Sequence, residues 1–213
     1  MSTTPFSAIL LAAGSSSRME GEIKQLLPVP TANGTEPVVR VTARAILAAG
    51  PVEVVAVTGH RGREVTHSLA DLPLTFCANP RYMEGQMRSV VAGLSALRAP
   101  CTAVMICLAD MVLLRPEDYR ALANVFAQLP RDAILVPYHG DNRGNPVTFA
   151  ASRVPEVLSG AVNPGCRKLI VDHPHDVVCR QFDHDRYTTD MDTLDDYARI
   201  WSRLAEELRP VAV

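Results

Sequence analysis

The sequence contains no Cys-x-x-Cys pair, and its five cysteines, at positions 77, 101, 107, 166 and 179, are odd in number. That pattern argues against a disulfide framework and a cysteine-built zinc site, and it fits a reducing, cytoplasmic setting. Neither sign of charge is in excess: 21 Lys and Arg stand against 23 Asp and Glu, and a net charge of −2 offers no general attraction for nucleic acid or an anionic membrane. Any anionic ligand must therefore be held by a local site. No apolar run approaches the roughly 20 residues that span a bilayer. The first run, Phe6 to Ala13, is short and has no basic residue before it, which argues against a signal peptide. Internal repeats, low-complexity tracts and linkers are also absent, so 213 residues, 47% of them apolar, are expected to bury one core in one domain.

What is present alternates. Short runs rich in Val and Ile at 8–12, 52–57, 103–108, 134–137 and 147–150 read as strands. Between them lie helix-length segments at 37–49, 62–70, 85–97, 116–128, 167–172 and 194–208. Met87, Val90, Val91, Leu94 and Leu97 recur at three- and four-residue spacing, which gives one segment an apolar face. The alternation predicts an α/β fold: a three-layer, Rossmann-like α/β/α arrangement around a mostly parallel sheet.

The first strand runs directly into Gly14-Ser15-Ser16-Ser17-Arg18, a small-residue loop whose backbone N–H groups are close enough together to surround phosphate oxygens. It matches neither Gly-x-Gly-x-x-Gly nor the P-loop pattern, since Met19 stands where the second P-loop glycine belongs. Dinucleotide oxidoreductases and P-loop NTPases are therefore weaker readings. Arg18 and Lys24 place two cations near the proposed cradle. Asp110 follows the strand at 103–108, at the sheet end where open α/β folds bind ligands; in that position it is a turn former, a helix cap or a ligand-facing group. Asp190 and Asp192 lie two apart, so an extended 186–192 segment would aim both side chains the same way. Asp192 and Thr193 compete to cap the last helix. The six histidines, including His173, His175 and His184, lack metal-site spacing and read as surface or loop residues.

Leu11-Ala12-Ala13-Gly14-x-Ser16-x-Arg18-Met19, followed by Lys24-Gln25-Leu26-Leu27-Pro28, resembles the signature of nucleotidyltransferases related to molybdenum cofactor cytidylyltransferase, the MobA/MocA-related group. Similar blocks continue in family order: Asn79-Pro80-Arg81-Tyr82-x-x-Gly85-Gln86-Met87-x-Ser89, Ala109-Asp110-Met111, Arg143-Gly144-Asn145-Pro146-Val147 and Asp190-Met191-Asp192-Thr193. Three departures stand out. Val112 replaces a common proline, Asn145 replaces the histidine of Gly-His-Pro, and Val162-Asn163-Pro164-Gly165-Cys166-Arg167 replaces a Gly-Asp-x-Gly segment. All lie on the acceptor side.

The resemblance implies a nucleotide-diphospho-sugar transferase type of fold, with a nucleotide-binding half at about 1–110 and an acceptor half at about 111–200. It implies Mg²⁺-dependent transfer of CMP from CTP to a molybdopterin-type acceptor, with release of pyrophosphate and with a molybdoenzyme as a possible client. Catalytic residues would be Lys24, Arg18 and Asp110. Leu11, Ala12, Ala13, Gly14, Ser15, Ser16, Lys24, Asn79, Gly85 and Ser89 would bind the nucleotide. Asp110 and Asp190 would hold the metal, and Gly144, Asn145, Pro146, Arg167 and Asp192 would face the acceptor. The Ala13 methyl would occupy room that a purine needs, which favours cytidine. A guanylyl donor, a different phosphorylated acceptor and a non-catalytic accessory protein for a molybdoenzyme are the competing readings.

Overall fold

The computed structural model describes residues 4–159 and 167–209. At its centre lies β1 (Phe6–Ala12), every residue of which is buried. This strand is covered on both faces, and its alternation sorts two cores. Phe6, Ala8, Leu10 and Ala12 face one cluster, and Ile9 and Leu11 face the other.

On one flank, β1 pairs in parallel with β4 (Glu53–Thr58), which pairs in parallel with β5 (Thr75–Ala78). On the other it pairs in parallel with β6 (Ala103–Leu108). Beyond β6 lie β9 (Val147–Ala150), β7 (Ile134–His139) and β10 (Val177–Gln181), giving the order β10-β7-β9-β6-β1-β4-β5. Strand β9 runs antiparallel to both neighbours, and the two-residue β8 (Asn142–Arg143) pairs with β7. The sheet is thus mixed but mostly parallel, as expected.

Helices α1 (Val38–Ala48), α2 (Gly62–Ser68) and α4 (Pro116–Phe126) cover the first face through Val39, Ala43, Ile46, Val65, Leu122 and Phe126. The other face takes α3 (Gln86–Ala96), α5 (Val154–Ser159) and α6 (Arg167–Asp172) through Val90, Leu94, Val157 and Leu169. Gly93 is what lets α3 approach: a Cβ there would lie 2.4 Å from Ile9 Cγ2.

A separate hairpin, β2 (Pro28–Thr31) and β3 (Gly34–Pro37), fills part of the interval between β1 and α1, where the apolar pattern predicts no strand. Helix α7 (Leu194–Glu207) packs on it, and the Tyr197 hydroxyl donates to the Pro28 carbonyl at 2.8 Å. A third apolar cluster seals this corner with Met19, Val29, Val38, Met191 and Ile200. The glycine-serine loop and the Asp190–Asp192 segment thereby share one foundation. No helix among the described residues is long and apolar enough to cross a membrane.

Candidate active site

Past Ala12 the chain turns over the carboxyl ends of β1, β4 and β6. The Ala13 carbonyl accepts the His60 N–H at 3.2 Å, and the Leu11 carbonyl accepts the Ala109 N–H at 3.2 Å. Ser16 adopts φ 56°, a left-handed conformation unfavourable for a side chain with a Cβ. Gln25 holds it there. Ser16 Oγ donates to Gln25 Oε1 at 3.1 Å, Gln25 Nε2 donates to the Gly14 carbonyl at 3.1 Å, and the Lys24 N–H donates to Ser16 Oγ at 3.0 Å. This buried glutamine pins the loop to the 3₁₀ turn Lys24–Leu26. Its position directly after Lys24 was visible in the sequence, but its partners depend on how the loop turns.

The same turn aims Lys24 inward. Its Nζ donates to Asp110 Oδ2 and, at 3.0 Å, to Asp192 Oδ1. Asp192 also pairs with Arg18 at 2.7 Å. Burial alone would lower the Lys24 pKa, but the charges and hydrogen bonds of Asp110 and Asp192 outweigh it and hold the ammonium above its usual value. Asp110 is 7% exposed, and its second oxygen, Oδ1, is buried with no hydrogen-bond partner. Asp190 opens to solvent on one side; protein packed behind it and the charges of Asp110 and Asp192 push its carboxyl up.

A cleft of ≈ 290 Å³ opens beside this cluster. Leu11, Ala13, Gly14, Ser15, Lys24, Gly85, Ser89 and Asp110 all line it, as do Gln25, Tyr82 and Gln86, which were not singled out as binding residues from the sequence. Ser16 faces Gln25 and Lys24 instead, as the loop's internal tie. Two expected nucleotide contacts need correction. The Ala12 side chain packs into the core under α1, because strand alternation turns it away from the cleft. Asn79 supports rather than lines the cleft: its Nδ2 donates to Ser89 Oγ at 3.0 Å, and its Oδ1 accepts the Arg81 N–H at 2.9 Å.

The residues expected to face an acceptor divide. Asp192 joins Lys24 and Arg18 rather than standing apart, and Thr193 caps α7 through a capping box with Asp196. The 186–192 segment is not a strand; it begins in a 3₁₀ turn, Asp185–Tyr187. Gly144 and Asn145 lie against that turn, with the Asn145 N–H donating to the Tyr187 carbonyl at 2.8 Å. Pro146 follows them into β9. Arg167 opens α6, and the departures at Val162, Asn163 and Cys166 fall outside the described residues. Nor is Asp110 a helix cap, since Arg115 and Asp118 cap α4.

A larger depression, ≈ 1080 Å³, lies at the opposite end of the sheet, where only Arg131 among its lining residues is charged. It has no cluster of charged side chains like the one that Lys24, Asp110 and Asp192 form beside the smaller cleft. The histidines take local partners: His173 meets Glu156, His184 Nε2 lies 3.3 Å from Asp118, and His139 Nδ1 lies 3.0 Å from the Phe182 carbonyl. Cys77, Cys101, Cys107 and Cys179 are free. Among the described residues no group of three or more His, Cys, Asp or Glu side chains is arranged to hold a metal.

The family model for the MobA-like NTP transferase domain matches residues 8–177. A nucleotidyl transferase from Methanothermobacter thermautotrophicus superposes with a TM-score of 0.78 at 22% identity, over 95% of this chain and 99% of that one. Rv0371c from Mycobacterium tuberculosis H37Rv, in complex with manganese, gives 0.74 at 24% identity over 93% and 99%. A CMP:2-keto-3-deoxy-manno-octonic acid synthetase complexed with CTP gives 0.74 at 13% identity over 96% and 100%.

Proposed function

The chain belongs to the MobA-like NTP transferase domain family, and from that premise we propose that it transfers CMP from CTP to the terminal phosphate of a molybdopterin-type acceptor, releasing pyrophosphate. The observation that carries this reading is the unpartnered, buried Asp110 Oδ1 beside the cleft, next to an enclosed and charged Lys24. An acceptor oxygen attacks the α-phosphorus, a new P–O bond forms, and the bond to the β-phosphate breaks. No covalent enzyme intermediate is needed. The loop at Gly14 and Ser15 holds phosphate oxygens through backbone N–H groups, while Lys24 and Arg18 neutralise the departing pyrophosphate.

Asp110, with Asp190 and Asp192 close by, suits Mg²⁺. The donors are hard oxygens, and an ion that binds through one or two carboxylates, completing its shell with phosphate and water, needs no three-ligand protein cluster. When bound, that ion supplies charge neutralisation at the α-phosphate. The manganese complex of Rv0371c supports the reading of a divalent cation. Ala13 and Tyr82 line the cleft, a lining that suits the smaller pyrimidine base, and the CTP complex of a similarly folded synthetase supports the cytidine choice. The acceptor enters from the half that carries Gly144, Asn145 and Pro146, and the free thiols suit a cytoplasmic enzyme.

The test is pyrophosphate release with each nucleoside triphosphate, with and without molybdenum cofactor. Release that requires CTP, Mg²⁺ and cofactor together is the expected result. Equal or faster release with GTP removes the base assignment. Nucleotide binding without turnover for any pair leaves the accessory-protein reading in its place.

A further inference from the structure

Asp190 and Asp192 sit on a stretch without regular secondary structure, between the 3₁₀ turn Asp185–Tyr187 and the cap of α7. Such a stretch cannot hold two carboxylates in place by its own ladder of hydrogen bonds, so its geometry must come from outside. Part of that support is Met191 in the third apolar cluster and the Asp192 N–H bonded to Asp196 Oδ2 at 3.1 Å; the part on the other side of Asp190 is one buried carboxylate that the chemistry does not use. Asp118, 3% exposed in the first turn of α4, takes both arms of the Arg186 guanidinium, with Nε at 2.8 Å and Nη2 at 2.7 Å. Its oxygen Oδ2 also accepts the Arg115 N–H at 2.8 Å, and its backbone carbonyl accepts the Tyr187 hydroxyl at 2.8 Å. Tyr187 is fully buried, its ring 5.1 Å from that of His184 and its carbonyl bonded to Asn145.

We propose that Asp118 and Arg186, which do not line the cleft, are positioning residues: through the two-pronged ion pair and the neighbouring Tyr187 bond they fix where Asp190 and Asp192 stand relative to Asp110. The inference rests on the metal reading given above. Three features favour a positioning role over mere cohesion. The fork of hydrogen bonds fixes direction as well as distance, which a lone hydrophobic contact does not. A buried ion pair adds little net stability over apolar residues of the same shape, so stability alone is a weak reason for one here. And Arg186 lies only four residues before Asp190, with Tyr187 tied on its far side to the Gly144–Asn145 turn, so the carboxylate arm is clamped between α4 and that turn.

The experiment measures Mn²⁺ affinity directly on the full chain, by electron paramagnetic resonance of the free ion, with and without CTP. It compares the wild type with Arg186→Gln, Arg186→Lys and Tyr187→Phe. Misplacing a supporting group typically weakens a metal site by tenfold or more, so we expect about a tenfold loss for Arg186→Gln, with a smaller loss for Arg186→Lys, which keeps the charge but not the fork. Tyr187→Phe keeps the buried ring and removes only the hydroxyl; it should still weaken Mn²⁺ by about threefold, and it carries the test if Arg186→Gln does not fold. Unchanged Mn²⁺ affinity in folded variants, whatever their melting temperature, overturns the positioning role. Absence of Mn²⁺ binding by the wild type overturns the metal reading itself, and this inference with it.

Discussion

Asp110 has one oxygen engaged by Lys24 and one with nothing to bond, and the two oxygens separate what its substitution does to folding from what it does to catalysis. Asparagine keeps an oxygen for the lysine but removes the charge that a divalent ion needs. Asp110→Asn should therefore lower Mg²⁺-dependent pyrophosphate release by about 100-fold or more while moving the thermal midpoint by only a few degrees. Near-normal turnover with an unchanged Mg²⁺ requirement would remove Asp110 from the metal site. Lys24→Ala should behave differently. In sequence it reads as a loop cation, yet the structure encloses it between two carboxylates. Its loss leaves the buried Asp110 without a counter-charge and Asp192 with Arg18 alone, so we expect lower activity together with about 1–3 kcal/mol of lost stability, measurable by urea unfolding. That Lys24, Asp110 and the glycine-serine loop fall beside one cleft was legible because each follows one of two strands, β1 and β6, that lie side by side, and because the family resemblance links them. Gln25 and Asn79 were not legible in their supporting roles, because hydrogen bonds to Ser16 and Ser89 depend on backbone turns that residue types alone do not specify.

Among the elements, the buried strands and the longer helices were readable from their apolar period, and the exposed ones were not. β5 and β10 lie at the two edges of the sheet and alternate or lose their apolar character, so they do not stand out from loops. The β2–β3 hairpin contains Pro28, Pro30 and Pro37, residues that argue against a strand except at an edge, where this small sheet places them. The six-residue α5 carries Pro155 in its first turn and does not stand out from the 3₁₀ turn before it, whereas α6, of equal length, does stand out. Gly93 shows the opposite failure, where an element is correctly read but its propensity misleads. In an isolated helix alanine would be preferred to glycine by about 1 kcal/mol. In α3 a methyl at this position would meet Ile9 Cγ2 at 2.4 Å and Val57 Cγ2 at 2.8 Å, both in the core of the sheet. Packing should win: Gly93→Ala is expected to destabilise by about 1–3 kcal/mol in denaturant unfolding. A variant more stable than the wild type would show that the helix has room to move.

For the whole molecule, acid is the revealing stress. Burial alone would raise the Asp118 carboxyl, but the Arg186 fork and the Arg115 N–H outweigh it and hold it below its ordinary value of 3.8. A carboxyl whose pKa is lower folded than unfolded contributes stability that is present above the unfolded value and is lost as pH falls through the folded one. Asp185, bound to Arg203, is lowered in the same direction. Stability should therefore fall as pH drops below about 4, and the fall should be shallower in Asp118→Asn, which has already given up its share. Melting temperatures of both proteins from pH 6 to pH 2.5 check this; parallel acid limbs would deny Asp118 its part. The strand order was beyond sequence, since nothing in the composition of β9 says that it enters antiparallel between β6 and β7. That order has a consequence for the chain as it is made. The bond from Lys24 to Asp192 joins residues 168 apart, and loop closure over such a distance comes only after the intervening strands have been laid down. A nascent chain still lacking its last segment holds Lys24 and Asp110 but not the arm that completes their cluster, so the cluster closes only when nearly the whole chain has been made.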